Sequence, residues 1–142
     1  MCGIVAAVEL LSEYNSNNDL SQITEGILQK LKYRGPDDDS LWCSCKEDVD
    51  FSLPKICLGH ARLSIVDENA YYPIIWTLGT KTMAIIANGE IYNHTDLRKD
   101  LITDETNSCS AESFSTNCDS EVLLACVMVS SIFIHPFIRF FL

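Results

Sequence analysis

The segment Met1-Cys2-Gly3-Ile4-Val5-Ala6-Ala7-Val8-Glu9 has a cysteine at its second position, and a short apolar run follows it. Residues 2–9 include β-branched side chains, which predicts a buried β-strand. Removal of Met1 would leave a thiol and a free α-amine on Cys2, so that a nucleophile and its base would share one residue. Cys2 is therefore a candidate nucleophile, although a single cysteine is more often a packing residue.

Composition predicts one globular domain that binds neither nucleic acid nor a membrane. The chain has 142 residues, of which 47% are hydrophobic, and its net charge is −10 from 20 acidic and 10 basic side chains. This length suffices for one domain with its own core. Nucleic-acid surfaces need clustered Lys and Arg, and anionic membrane faces attract basic segments. The acidic excess argues against both partners.

The cysteine content bears on the cellular compartment. The chain has seven cysteines, an odd number. It begins without the basic region, apolar core and cleavage site that mark a secretory signal. An odd count without a signal is typical of reduced thiols, so we expect a cytoplasmic protein.

Hydrophobic spacing along the rest of the chain predicts an α+β domain with helices packed on antiparallel sheet. Residues 40–45, 56–60 and 82–87 are predicted strands, and residues 62–67 continue the sheet. Helices are predicted after Asn93 and over residues 119–129. A further amphipathic helix over residues 20–32, capped by Asp19 or Ser21, follows from the spacing of its apolar residues, Leu20, Ile23, Ile27, Leu28 and Leu31.

The carboxy-terminal segment differs from the rest of the chain. Residues 126–142 are mostly apolar, but His135, Pro136 and Arg139 interrupt them. A membrane span needs about 20 apolar residues, so the segment is a poor candidate for one. We expect a domain over residues 2–125 and a divergent tail over residues 126–142, either an unfinished core or non-native sequence after a truncation.

Short motifs accompany Cys2 in a fixed order: YRGPDD at 33–38, HARLSIVD at 60–67, NGEIYN at 88–93 and CDSEVLL at 118–124. Together with MCGI they resemble the glutamine-hydrolysing domain of asparagine synthetases, a class II glutamine amidotransferase. The resemblance covers residues 2–125. It implies the amino-terminal nucleophile (Ntn) hydrolase fold, a layered sandwich of antiparallel sheets with flanking helices, here incomplete at the carboxy end.

The motifs suit hydrolysis of a glutamine amide. Attack by a thiolate on the amide carbonyl builds an oxyanion, which fixed hydrogen-bond donors stabilise. Asn88 carries a side-chain amide and Gly89 an unobstructed N–H, and the resemblance implies that they form the oxyanion hole. Asn88-Gly89 is also typical of a type I′ hairpin turn, and the two interpretations are compatible. Arg34-Gly35-Pro36-Asp37 matches a further motif of the family, and we interpret it as a rigid structural turn that packs near the nucleophile.

Glutamine also presents a carboxylate and an ammonium group, each of which needs an opposite charge. Arg62 can bind a carboxylate through two parallel hydrogen bonds, and Asp119 can accept from an ammonium group. The alternatives are a surface arginine and a helix N-cap aspartate. The resemblance implies that glutamine is bound by these two side chains and by neighbouring backbone, namely Arg62, Leu63, Ser64, Ile65, Val66, Asn88, Gly89, Glu90 and Asp119.

The predicted function is therefore hydrolysis of L-glutamine to glutamate and ammonia for asparagine biosynthesis. The chain lacks the glycine-serine-rich pyrophosphate loop of a synthetase domain, so we expect no cofactor in this domain. ATP and Mg would belong to a synthetase domain or subunit that accepts the ammonia.

Alternatives remain. The chain could be an inactive, truncated remnant. A glucosamine-6-phosphate synthase-like amidotransferase is disfavoured, because that family usually has tyrosine where this chain has Pro36 and a TRWATHG-like string in place of ARLSIVD. Tyr72 stands where the asparagine synthetase type has glutamine. A structural zinc site is a weaker alternative, on a set of potential ligands comprising Cys43, Cys45, Cys57 and His60; we expect no metal.

Overall fold

The computed structural model describes residues 2–9, 19–44, 54–64, 71–78, 81–104, 113–130 and 140–141. The chain divides into two compact units. Unit 1 comprises Met1–Ser64 and Tyr71–Pro73, and unit 2 comprises Ile65–Ala70 and Ile74–Leu142. Each unit contains helix and antiparallel strands, which confirms the predicted α+β class. The layered Ntn-hydrolase arrangement stays a prediction, as does the division of the chain at residue 125.

The described part of unit 1 is a three-stranded antiparallel sheet with one α-helix packed on it. Its elements are β1 (Gly3–Glu9), α1 (Leu20–Leu31), a 3-10 turn (Lys32–Arg34), β2 (Asp38–Cys43) and β3 (Lys55–Arg62). The strand order is β1-β3-β2, so β3 is central. Gly3 pairs with Ala61, and Asp38 pairs with Arg62, which brings the start of β1 and the start of β2 to the end of β3.

The helix α1 begins where the sequence predicts, but it buries a different face. Asp19 caps its amino terminus by accepting a hydrogen bond from the Ser21 amide at 3.0 Å. Thr24 and Leu28 are buried. Ile23 is 45% exposed and Ile27 41% exposed, so the apolar face predicted from the spacing is wrong for these two residues. The apolar face of the helix is wider than the face that contacts the sheet. Thr24 is accommodated in the buried face because its hydroxyl donates to the Leu20 carbonyl at 2.7 Å.

Two strand predictions in unit 1 need correction. β2 spans Asp38–Cys43 rather than residues 40–45, because its pairing follows β3 as far as Arg62. The predicted continuation of the sheet over residues 62–67 stops at Arg62, and Leu63 and Ser64 are not in a strand. Ile65 and Val66 lie outside the described residues.

A disulfide joins β2 to β3. Cys43 and Cys57 are directly opposite each other in the antiparallel ladder, with their Cα atoms 4.1 Å apart. The expectation that the cysteines are all reduced is wrong for this pair, because register, which an odd count does not reveal, places the two sulfurs within bonding distance. In this state neither sulfur is a thiolate that could bind zinc. Cys45 lies outside the described residues, which contain no cluster of three or more potential metal ligands.

The described residues of unit 2 form two short antiparallel strand pairs and two helices. Its elements are β4 (Ile74–Leu78), β5 (Lys81–Ile85), β6 (Glu90–Ile91), α2 (His94–Thr103), α3 (Glu121–Ser130) and β7 (Phe140–Phe141). β4 pairs with β5, and β6 pairs with β7. The helices α2 and α3 contact each other. Between them lies a buried apolar cluster of Ile91, Leu97, Leu101, Val122, Ala125 and Cys126.

Several features of unit 2 differ from the predictions. No strand is predicted over 74–78, yet β4 begins directly after Pro73, which follows a cis peptide bond. The helix predicted over 119–129 is α3, shifted to Glu121–Ser130. Residues 126–130 of the predicted tail continue this helix, and Cys126 is buried in its core. None of the helices in the described ranges is long and apolar enough for a bilayer span.

Candidate active site

The sulfur of Cys2 is held against the backbone of Leu63. The Leu63 amide donates to Cys2 Sγ at 3.3 Å, and the thiol can donate to the Leu63 carbonyl at 3.6 Å. These contacts arise because β1 pairs with β3, which places the residue before β1 beside the residue after β3. Cys2 is half-buried as a residue, and its sulfur is positioned by the protein backbone.

A close approach of two backbones fixes the start of β1. A Cβ atom added at Gly3 would lie 2.8 Å from the Cβ of Leu31 and 3.2 Å from the Leu31 carbonyl oxygen. Any larger residue would therefore push β1 away from the end of α1. Glycine at this position lets the first strand pack directly against the helix.

The RGPD turn packs onto the same end of β3. Gly35 lies so close to the peptide between Ala61 and Arg62 that an added Cβ would overlap the Ala61 carbonyl. The Asp37 amide donates to the Arg62 carbonyl at 3.1 Å, and the Asp37 carboxylate accepts from the Ser64 amide at 2.7 Å. The turn thus holds the backbone on both sides of Leu63, as expected for a structural turn near the nucleophile.

Arg62 is buried at the end of β3, with only 6% of its surface exposed. The alternative of a surface arginine on a strand is therefore wrong. His60, on the same strand, is also buried and stacks on the ring of Tyr72 with centroids 4.2 Å apart. Tyr72, which departs from the glutamine of the resemblance, thus fills space beside β3 through its ring.

In unit 2, Asn88 and Gly89 lie between β5 and β6. Asn88 is half-buried, Gly89 is exposed, and Glu90 begins β6. The predicted hairpin turn is wrong, because β5 pairs with β4 and β6 pairs with β7. These residues therefore join two different strand pairs. A turn signal in sequence cannot identify the strand that will pair.

Asp119 is a buried carboxylate beside β6, with 5% of its surface exposed. Its Oδ2 accepts from the Ile91 amide at 2.7 Å, and its Oδ1 accepts from the Ser120 amide at 2.8 Å. The Cys118 thiol and the Ser120 hydroxyl also donate to Oδ1. Among the described residues none forms an ion pair with this carboxylate, so its negative charge is met by neutral donors alone.

Glu121 is a second buried carboxylate, and it accepts several hydrogen bonds that the sequence does not reveal. Its Oε1 accepts from the amide and hydroxyl of Ser115 and from the Trp76 indole; its Oε2 accepts from the amide and hydroxyl of Thr116. The Arg98 guanidinium lies 3.8 Å from Oε2. The sequence predicts only a favourable charge in the first helical turn.

The ionisation of Glu121 follows from these contacts. Burial raises the pKa of this carboxyl, but the hydrogen bonds from Ser115 and Thr116 together outweigh burial, so that the pKa lies below its ordinary value. Glu121 is therefore a charged group whose capacity for hydrogen bonds is already used within unit 2.

The predicted site residues fall into two groups, one in each unit. Unit 1 brings together Cys2, Arg62, Leu63 and Ser64 at one end of β3. Unit 2 brings the Asp119 carboxylate to Ile91, the residue after the Asn88–Glu90 segment. The remaining predicted backbone ligands, Ile65 and Val66, lie outside the described residues.

Comparison with known proteins decides the family. The model of a glutamine amidotransferase domain matches residues 1–131. The chain belongs to this amidotransferase family. The predicted resemblance is confirmed, because the relatives that this chain matches include glutamine-hydrolysing asparagine synthetases.

Three relatives illustrate the similarity. The glutamine-hydrolysing asparagine synthetase 3 of Bacillus subtilis is 33% identical over 125 residues, which cover 87% of this chain and 17% of the relative. Asparagine synthetase 3 of Arabidopsis thaliana is 36% identical over 123 residues, covering 87% and 18%. The enzyme of Zea mays is 33% identical over 123 residues, covering 87% and 17%. The amidotransferase chain thus spans less than a fifth of each of these relatives.

Proposed function

We propose that this domain hydrolyses the side-chain amide of L-glutamine to glutamate and ammonia, with the Cys2 thiol as nucleophile. The observation that carries the proposal is the Cys2 sulfur held 3.3 Å from the Leu63 amide, next to buried Arg62, in a chain of the glutamine amidotransferase family. The relatives named as glutamine-hydrolysing asparagine synthetases support the same reaction.

The first half of the proposed reaction forms a thioester. After removal of Met1, the α-amine of Cys2 accepts the thiol proton. The thiolate forms a bond to the amide carbon of glutamine, and the carbonyl electrons move to its oxygen. The Asn88 side-chain amide and the Gly89 N–H donate to that oxyanion. The carbonyl then re-forms, the C–N bond breaks, and ammonia leaves with the proton that the α-ammonium group returns.

The second half regenerates the enzyme. Water attacks the γ-glutamyl thioester, losing a proton to the α-amine, and a second tetrahedral oxyanion forms at the same carbon. Its collapse breaks the C–S bond, releases glutamate and returns the sulfur to its thiol form. The reaction therefore consumes one water molecule for each glutamine and needs no cofactor.

Two buried charged groups are proposed to recognise the ends of the substrate. Arg62 binds the glutamine carboxylate, which its burial favours because a desolvated guanidinium pairs strongly with a carboxylate. Asp119 accepts from the substrate ammonium, which is supported by the lack of an ion-pair partner for it among the described residues. Neighbouring backbone at residues 62–66 and 88–90 completes the binding of glutamine.

The ammonia is proposed to serve a synthetase domain or subunit for asparagine biosynthesis, and ATP and Mg would act there. This part rests on the names of the relatives, since the chain spans only a small part of them. The layered Ntn-hydrolase fold and a cytoplasmic location belong to the same proposal. The Cys43–Cys57 disulfide weighs against the cytoplasmic location, because cytosolic thiols are usually reduced.

Glutamate release from the purified chain tests the proposal, with the amino-terminal residue determined by mass spectrometry on the same sample. We expect release when Cys2 is exposed, and loss of it in Cys2→Ala. Cys126→Ala is the matched control, since that thiol is buried in the core of unit 2. Normal turnover in Cys2→Ala, or no turnover in a folded wild-type chain with Cys2 exposed, would refute the proposal.

A further inference from the structure

We propose that Glu121 is a positioning residue for the hydrolysis of glutamine: through the segment Ser115–Cys118 it holds Asp119 where the ammonium group of the substrate binds. This inference rests on the proposed function. It assigns a task to a fully buried carboxylate that the mechanism above does not use.

The first step concerns the hydrogen bonds between Glu121 and the segment Ser115–Cys118. Its two carboxylate oxygens accept from the amide and the hydroxyl of both Ser115 and Thr116, at 2.8 to 3.0 Å. Charge-assisted hydrogen bonds of this kind are stronger than neutral ones, and together they fix the backbone of two consecutive residues. The segment therefore adopts the conformation that the carboxylate imposes.

In the second step, the hydrogen-bond network continues to Cys118, the residue before Asp119. The Thr116 hydroxyl, which donates to Glu121, also accepts from the Cys118 amide at 3.1 Å. On the other side, Arg98 donates to the Thr116 carbonyl at 2.6 Å and to the Cys118 carbonyl at 3.1 Å. The amide and the carbonyl of Cys118 are thus both held, so the backbone that enters Asp119 is fixed.

The third step separates the tasks of the two carboxylates. Glu121 has no exposed surface, it has five hydrogen-bond donors around it, and Arg98 is close by. Asp119 sits two positions earlier and has only neutral donors among the described residues. A cationic group of a ligand would therefore gain most from Asp119. The charge of Glu121 is already compensated, so it does not compete for that group.

The ligand group concerned can be tested directly with a substrate that lacks it. Glutaramate is glutamine without the α-ammonium group, and it retains the carboxylate and the scissile amide. If Glu121 acts through Asp119, its substitution weakens only the binding that depends on the ammonium group. A residue needed solely for folding would instead change the hydrolysis of both substrates equally.

The experiment compares kcat and KM for glutamine and glutaramate in wild type, Glu121→Gln, Asp119→Asn and the double variant. For Glu121→Gln we expect the KM for glutamine to rise about tenfold with kcat little changed, and the KM for glutaramate to stay as in wild type. Since both residues serve one interaction, the double variant should be no worse than Asp119→Asn. Glu25→Gln, on the exposed face of α1, is the matched control.

Thr116→Val provides a milder variant in case Glu121→Gln does not fold, since it removes one donor to Glu121 and the acceptor for the Cys118 amide. We expect it to raise the KM for glutamine selectively as well. Equal effects on both substrates, or none, would overturn this inference and leave the proposed function intact. A folded wild type that hydrolyses neither substrate would overturn both.

Discussion

Unit 1 holds its candidate residues through close backbone contacts, whereas unit 2 holds them through buried carboxylates. At the end of β3, Gly3 and Gly35 allow backbones to approach where a side chain would not fit. In unit 2, Asp119 accepts from the Ile91 amide in β6, and Glu121 accepts from the Trp76 indole and from the amides and hydroxyls of Ser115 and Thr116. Unit 1 should therefore be sensitive to added volume, and unit 2 to removed charge. The two tryptophans suit this comparison, since Trp42 lies in unit 1 and Trp76 in unit 2.

The largest effect is expected for Glu121→Ala. Removal of the carboxylate leaves the Ser115 and Thr116 amides without their acceptor and the Arg98 guanidinium without its ion-pair partner, and breaking a buried ion pair typically destabilises a protein by about 3–5 kcal/mol. Urea unfolding followed by Trp76 fluorescence, in a Trp42→Phe background, measures the change. A loss below about 1 kcal/mol, the value of an ordinary hydrogen bond, would mean that unit 2 does not depend on this carboxylate.

Gly35→Ala should have a smaller effect, and through volume rather than charge. The new methyl group would overlap the peptide between Ala61 and Arg62, so the turn must move, at a cost of about 1–3 kcal/mol. Gly26→Ala is the matched control, because its Cβ meets no atom within 4 Å and it lies inside α1. We expect that control to stabilise the protein by up to about 1 kcal/mol in urea unfolding. Equal effects of the two substitutions would contradict the close approach.

The pH dependence of stability separates the charge of Glu121 from its shape. Its pKa is lowered in the folded state from the ordinary value of 4.5. A depressed folded pKa contributes stability that is fully present above the unfolded value and is lost as pH falls through the folded value. The difference in unfolding free energy between wild type and Glu121→Gln should therefore be constant near neutral pH and shrink below pH 4.5. A difference that stays constant in acid would show that the charge contributes nothing.

The smallest effect is expected for Lys32→Ala in unit 1. The Lys32 ammonium lies 2.7 Å from the Asp39 carboxylate, and its hydrogen bond holds the pKa of Asp39 below the ordinary value. The Lys32 side chain is half-exposed, so the pair should contribute less than about 1 kcal/mol. Titration of Asp39 followed by NMR should shift to higher pH in the variant. A large loss of stability that high salt does not reduce would contradict this view.

Sequence reasoning succeeds where the signal is local. The strand after Cys2, the helix capped by Asp19 and the family itself all follow from short stretches of sequence, and the structure and the comparisons confirm them. The predicted burial of that strand is wrong, because β1 pairs only with β3 among the described strands, and Ile4 and Val8 are 44% and 52% exposed. The functional roles of Cys2, Asn88 and Asp119 stay predictions.

What fails depends on partners that are distant in sequence. Cys43 and Cys57 bond because of strand register, which the number of cysteines does not encode. Ile23 and Ile27 share the helical spacing of Leu28, but the sheet covers only part of that face. The contacts of Glu121 require residues 76, 98, 115 and 116 to lie close together, and no spacing in the sequence predicts this.

The strand order of unit 1 also sets a sequence of events in time. β3 comes last of the three strands along the chain, yet it lies between the other two. On the ribosome, β1 and β2 therefore have no partner in the sheet and remain hydrated until residues 55–62 have emerged. The pairing of β3 with β1 also brings Leu63 to the Cys2 sulfur. During synthesis, the backbone contacts of the candidate nucleophile therefore depend on the same strand that completes the sheet.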